Sequence, residues 1–248
     1  TYEGAPTCVS AYLSVISKGA AAFTLLNALV KAFGPMASQW EDLAAVVIIL
    51  SITLANVLAL LQHDMKRFMA YSSISQAGYL ILAVLGTPSQ GAGAMAYYVA
   101  VYVVANLAVF GVISTVEQNC GGRTDREAYN GFYQTNPRLS LVMTAGLFSL
   151  AGIPPVSPDS SPSFMVFAAA FHAGHWMIVF LALVNTVISL YYYLLVVKAI
   201  FITPAETNPL PKFTSSGRGK SGVWAICLAA ICLIGICHSF DWMTQAAQ

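Results

Sequence analysis

Two ionisable side chains stand where an apolar chain has no ordinary use for charge. They are Lys18, in "SVISKGAAAF", and Asp159, in "SLAGIPPVSPDSSPSFMVFAAAF". Lys18 sits about eleven residues into its apolar run, so about 16 Å along a helix axis and out of reach of either membrane surface. A lysine there costs at least about 2.5–3.5 kcal/mol on insertion scales, and such charges normally face a bundle interior or a hydrated path. An amine in a low-dielectric setting gives up its proton more readily than one in water, so a group placed this way can carry a proton. The other reading is a lysine paired structurally with a neighbouring subunit or with backbone carbonyls. Small neighbours, Ser17, Gly19, Ala20 and Ala21, leave room for close helix packing or for water around the amine. Asp159 falls in an interruption, because Ile153-Pro154-Pro155 cannot continue the helical run from Leu139 to Gly152 and apolar sequence resumes near Phe164. Interrupted helices point to ion or substrate sites in transporters. A solvated surface loop is the competing reading for 156–163.

The elements that must hold these residues are membrane helices. Hydrophobic residues make up 58% of the 248 positions and charged residues 8%, against roughly 25% charged in a soluble domain. A net charge of +1 gives no reason to expect a nucleic-acid partner. Seven apolar segments are predicted, near 8–33, 44–61, 66–86, 92–116, 139–171 (broken at 153–163), 176–201 and 223–240, each long enough to cross about 30 Å of hydrocarbon. The fold class is therefore an all-α membrane protein, a single transmembrane domain over 1–248 with one helix broken. Alternating helices put Lys66, Arg67, Arg123, Arg126, Arg138, Lys212, Arg218 and Lys220 on one face and only Lys31 on the other. That asymmetry places the amino terminus inside. The chain opens on Thr1, so processing or a longer parent sequence is expected.

Weaker candidates surround the first two. Lys66 lies in "HDMKR", a tight basic turn whose simplest role is an inner-face anchor. Ser73 belongs to "YSSIS", whose hydroxyls either bond back to carbonyls or line a water path. His172 and His175, in "FHAGHW", lie at the outer end of the broken helix, as interfacial residues or proton-exit groups. Asn56, Asn106 and Asn185 read as interhelical hydrogen bonds, and the Tyr191–Tyr193 run as packing. The five cysteines form no C-x-x-C and read as packing residues, and neither a metal nor a redox cofactor is expected.

"YEGAPT", "SKGAAAF", "ANVLALLQHDMKRFMAYSSISQAGYLILAV", "SLAGIPP" and "ISLYYYLLVVK", in that order and spacing, resemble the carboxyl-terminal half of the antiporter-like, proton-pumping membrane subunits of respiratory complex I, NADH:quinone oxidoreductase. The likeness spans about Tyr2 to Phe201 and is nearest the subunit 2/N branch; multisubunit cation/proton antiporters share a weaker version. The resemblance implies two inverted repeats, of which this chain holds the second, and a role in proton translocation within an enzyme whose redox chemistry lies in other subunits. It implies that Lys18 is the central connecting lysine. The family's upstream glutamate and lysine would precede Thr1, so either a separate chain carrying the amino-terminal half supplies them, an expected partner with the other membrane-arm subunits and lipids, or the subunit has lost half its pump. After "GIPP" the family carries a glycine-phenylalanine pair and then a lysine; Pro158, Asp159 and Pro162-Ser163 stand here instead, and Asp159 is the candidate substitute. A split subunit points to the mitochondrial inner membrane, with the bacterial plasma membrane as the alternative. A proton-inert structural subunit and a sodium/proton antiporter subunit are the other functions considered.

Overall fold

The structure, a computed structural model, describes residues 2–153 and 162–204. It is all-α, with no strand among the described residues. Helix α1 runs over Thr7–Ala32, α2 over Ala37–Leu60, α3 over Met65–Leu82 with a tighter turn Ala83–Leu85, and α4 over Pro88–Asn119. Two short apolar helices come next, α5 (Pro137–Leu150) and α6 (Pro162–His172), and then α7 (Trp176–Phe201). Five helices among the described residues are long and apolar enough to cross a bilayer. The segment expected at 223–240 lies outside the described residues, as does Asp159.

Local chemistry sets the helix ends. Asp64 caps α3 by accepting from the Arg67 N–H at 2.8 Å and from the Thr124 hydroxyl. Two backbone bonds, Met65 N to Thr124 O and Arg126 N to His63 O, both 2.8 Å, tie this turn to the loop after α4. Pro88 and Pro137 occupy first-turn positions, where their missing N–H costs nothing. The helix at Pro88 therefore begins before hydropathy rises at 92, and α2 likewise starts at 37 and not 44, its first turns being the polar Ser38, Gln39, Glu41 and Asp42.

The break in the fifth segment comes earlier than the prolines require. Helix α5 stops at Leu150, because Gly152 adopts a left-handed φ of 78°. The Ile153 N–H reaches back to Phe148 O at 3.0 Å and the Gly152 N–H to Ser149 O at 3.1 Å, the two bonds of a Schellman stop.

Helix α3 is the most enclosed span, while α1, α2 and α7 each show an apolar outer face. Helices α4 and α5 approach closely at Gly146, where a Cβ would lie 2.8 Å from Val109 Cγ2 and 3.2 Å from Ala105 O. Helix α1 is not uniformly α-helical. Leu13–Ser17 and Ala28–Ala32 are wider π-type turns, a form often found next to functional positions, and Lys18 comes directly after the first of them.

Candidate functional site

Lys18 points from α1 toward α3. Its Nζ donates to the Ser73 backbone carbonyl at 2.6 Å and to Ser73 Oγ at 2.5 Å. Ser73 is buried, and its hydroxyl donates to Ala70 O at 2.9 Å. Among the described residues no carboxylate pairs with Lys18. The amine is half-buried and solvated by one serine. Hydrogen bonds to a charged group contribute about 1.5–3 kcal/mol each, so two of them can offset the insertion cost.

The same serine suits either protonation state. Beside an ammonium, Ser73 Oγ accepts while its own proton goes to Ala70 O. Beside a neutral amine, the hydroxyl can turn and donate to the nitrogen lone pair.

A buried polar cluster extends from this point into the bundle. Ser14, one turn before Lys18, bonds Tyr102 Oη at 3.0 Å and Asn106 Oδ1 at 3.3 Å on α4. Gln76, three residues beyond Ser73, donates to Leu150 O at 3.0 Å and accepts from the Tyr98 hydroxyl. It thereby satisfies an orphan carbonyl at the end of α5. A small cavity lies beside it, lined by Gln76, Tyr98, Tyr102, Ser149 and Ser163, with about 10 Å³ available to the centre of a water molecule. That is room for about one water. Farther across, Ser72 bonds Tyr193 at 2.5 Å, Tyr192 donates to Asn56 at 3.1 Å, and Asn56 donates to Asn185 O at 3.1 Å. The expectation of interhelical amide bonds holds at all three asparagines. Tyr192 and Tyr193 are more than packing, since both hydroxyls join this network.

The remaining sequence candidates divide. Ser17 lies on the exposed side of α1, away from the Ser73 contact. His172 is exposed, and His175 Nε2 stands 3.9 Å from Glu41 Oε2 at the start of α2. Lys66 corrects the anchor reading. It is buried, 2.5 Å from Glu117 Oε1 at the end of α4, and it also donates to Ala5 O at 3.3 Å. Glu117 also accepts from the Thr7 hydroxyl. Glu117 was not among the sequence candidates, because it lies one residue beyond the apolar segment predicted at 92–116. The signal available was its place one helical turn inside the glycine pair that ends α4.

Several bacterial proteins are similar to this chain in sequence, in architecture or in both. The family model described as NADH:quinone oxidoreductase/Mrp antiporter, TM, matches residues 1–189. NADH-quinone oxidoreductase subunit N of Phocaeicola vulgatus is 57% identical over 236 residues, 95% of this chain and 49% of that protein. A chain of respiratory complex I from Thermus thermophilus superposes with a TM-score of 0.66 at 34% identity, over 78% of this chain and 43% of that one. A chain of the Mrp complex from Dietzia superposes at 0.84 with 20% identity, over 99% of this chain and 54% of that one, a likeness of fold alone. The chain spans about half the length of the curated relatives it matches. These relatives are bacterial, which argues against the mitochondrial inner membrane expected from the sequence.

Proposed function

We propose, given that this chain belongs to the NADH:quinone oxidoreductase/Mrp antiporter transmembrane family, that it is part of a proton-translocating membrane-arm subunit of an NADH:quinone oxidoreductase. The observation that carries this reading is the half-buried Lys18 amine, held by the Ser73 hydroxyl and carbonyl without a counter-charge among the described residues. A lysine locked to a carboxylate would stay protonated. One solvated by a hydroxyl that can either accept or donate is free to gain and lose a proton at little structural cost.

In this reading the chain sits in a bacterial plasma membrane with its amino terminus on the inner side. Lys18 receives a proton from one side of the bundle and releases it toward the break between α5 and α6. Asp159 is the exit-side candidate there. The neighbouring membrane-arm subunits, and the other half of the architecture that the relatives' greater length carries, complete the unit. The energy comes from quinone reduction elsewhere in the complex, and this chain handles protons only.

The test is Lys18→Met in the assembled complex, with NADH oxidation and acidification of inverted membrane vesicles measured together. The expected result is fewer protons moved per NADH with assembly intact. An unchanged ratio leaves a scaffold role, and transport that requires sodium favours the cation/proton antiporter reading.

A further inference from the structure

Four residues of α1, Thr7, Ser10, Ser14 and Lys18, are spaced three, four and four apart and so share one helix face. The three hydroxyl residues are fully or almost fully buried. Their partners lie on α3, on α4 and in the segment before α1. Thr7 donates to Glu117, Ser10 to Tyr2 O at 2.9 Å, Ser14 contacts Tyr102 and Asn106, and Lys18 donates to Ser73. This is a polar seam through an otherwise apolar interface.

Exposure falls in order along the seam. At its outer rim the ion pairs Arg67–Glu3 and Arg123–Asp125 are about half exposed. Next comes Glu117, with 25% of its side chain exposed, and then Lys66, with 4%. Beyond them Ser10 and Ser14 are sealed. With Lys66 buried and Glu117 partly so, the pair gives up hydration that apolar residues holding the same helices would not, so holding them is a poor reason for it. Buried hydroxyls continuing on to a lysine give it another.

We propose that Glu117 and Lys66 form the mouth of a proton inlet that runs between α1, α3 and α4 to Lys18. The inference rests on the reading of Lys18 as a proton carrier and adds the route by which it is loaded. Glu117 carboxylate takes a proton from the inner solution, and its ion pair with Lys66 opens. The carboxylic acid passes that proton to the Thr7 hydroxyl, which releases its own inward. Each hydroxyl or water in turn accepts one proton and gives up one, until neutral Lys18 becomes an ammonium. Glu117 is then a carboxylate again and re-forms its pair with Lys66. Residues three and four apart on a helix stand about 5–6 Å apart, a gap that one water closes with two hydrogen bonds of about 2.8 Å each. The charged groups around the mouth are Glu3, Asp64, Arg67, Arg123 and Asp125.

The experiment uses the complete complex in inverted vesicles, comparing protons moved per NADH in the Lys66→Met/Glu117→Met double variant, in Ser14→Ala, in Glu117→Asp and in Lys18→Met. The expected result is that the double variant and Ser14→Ala both fall to the level of Lys18→Met, while Glu117→Asp, which keeps a carboxyl at the mouth, falls less than the double variant. If Lys18→Met lowers coupling and Ser14→Ala with the double variant stays at wild type, the inlet is wrong and the reading of Lys18 stands. If Lys18→Met changes nothing, both fail. Should the double variant not assemble, Ser14→Ala decides, because it removes one hydroxyl of the seam and leaves the ion pair intact.

Discussion

Replacing Gln76 by leucine should destabilise the bundle by an amount that a second substitution partly restores. Gln76 ties α3 to its neighbours by buried contacts: its amide nitrogen donates to Leu150 O at 3.0 Å, and its oxygen accepts from the Tyr98 hydroxyl. Gln76→Leu keeps similar bulk and leaves two polar groups, the Tyr98 hydroxyl and the Leu150 carbonyl, without those partners. Unpaired buried groups cost about 1–3 kcal/mol each in water-soluble proteins. Hydrogen bonds between membrane helices average about 0.6 kcal/mol, because the unfolded chain in lipid also finds partners. The bilayer value sets the floor, so the two losses together should lie at roughly 1–3 kcal/mol. For a chain of this size that is a fall in melting temperature of roughly 2–6 °C.

Tyr98→Phe alone removes the other end of the Gln76–Tyr98 bond. In the Gln76→Leu/Tyr98→Phe double variant neither end of that bond remains, and the penalty for stranding one end of it is counted once fewer than in the two singles together. The double variant should therefore lose less than the sum of the singles, by about 1 kcal/mol. Thermal unfolding of the purified protein in one detergent, read by tryptophan fluorescence for all four forms, measures the coupling. Strictly additive shifts, or a Gln76→Leu protein as stable as wild type, would refute the claim that this amide ties α3 to the end of α5.

Three further outcomes can be checked with the same material. Gly146→Ala places a methyl 2.8 Å from Val109 Cγ2 and 3.2 Å from a backbone oxygen, so α4 and α5 must separate; about 1–3 kcal/mol of stability should be lost in the same melt. Gly152→Ala forces a side chain into a left-handed backbone at the α5 stop, and a loss of about 1–2 kcal/mol is expected, seen as faster hydrogen exchange near 148–153. Asp125 caps the turn Arg126–Tyr129, and hydrogen bonding to Arg123 holds its carboxyl below the usual carboxylate range. The folded value is the lower one, so this stabilisation is present above the unfolded carboxylate range and is lost as pH falls through the folded value. Amide protection across 120–131, corrected for intrinsic rates, should drop on acidification in the wild type and be low at every pH in Asp125→Ala.

Much of the architecture was legible without coordinates, because it depends on quantities local in sequence. Apolar run length sets where a helix can cross a bilayer, and the transfer cost of a lone amine marks Lys18 at once. The break after "SLAGIPP" was equally visible, although its position was not: proline chemistry placed it at 153, and the αL turn at Gly152 moved the stop to Leu150. Helix starts lie earlier than hydropathy places them for a similar reason, since hydropathy is blind to polar first turns, such as Ser38 to Asp42 in α2.

What the amino-acid order determined by itself is that this chain lives in lipid as a helical bundle and carries a charge near mid-membrane. Free energies of transfer add residue by residue, so a linear reading recovers them. Only tertiary structure decided that Lys18 meets Ser73, 55 positions away, and that Lys66 meets Glu117, 51 positions away. Which helix faces which, and how a π-type turn in α1 rotates the residues beyond it, is settled by packing among many surfaces at once. No single stretch of sequence contains that choice.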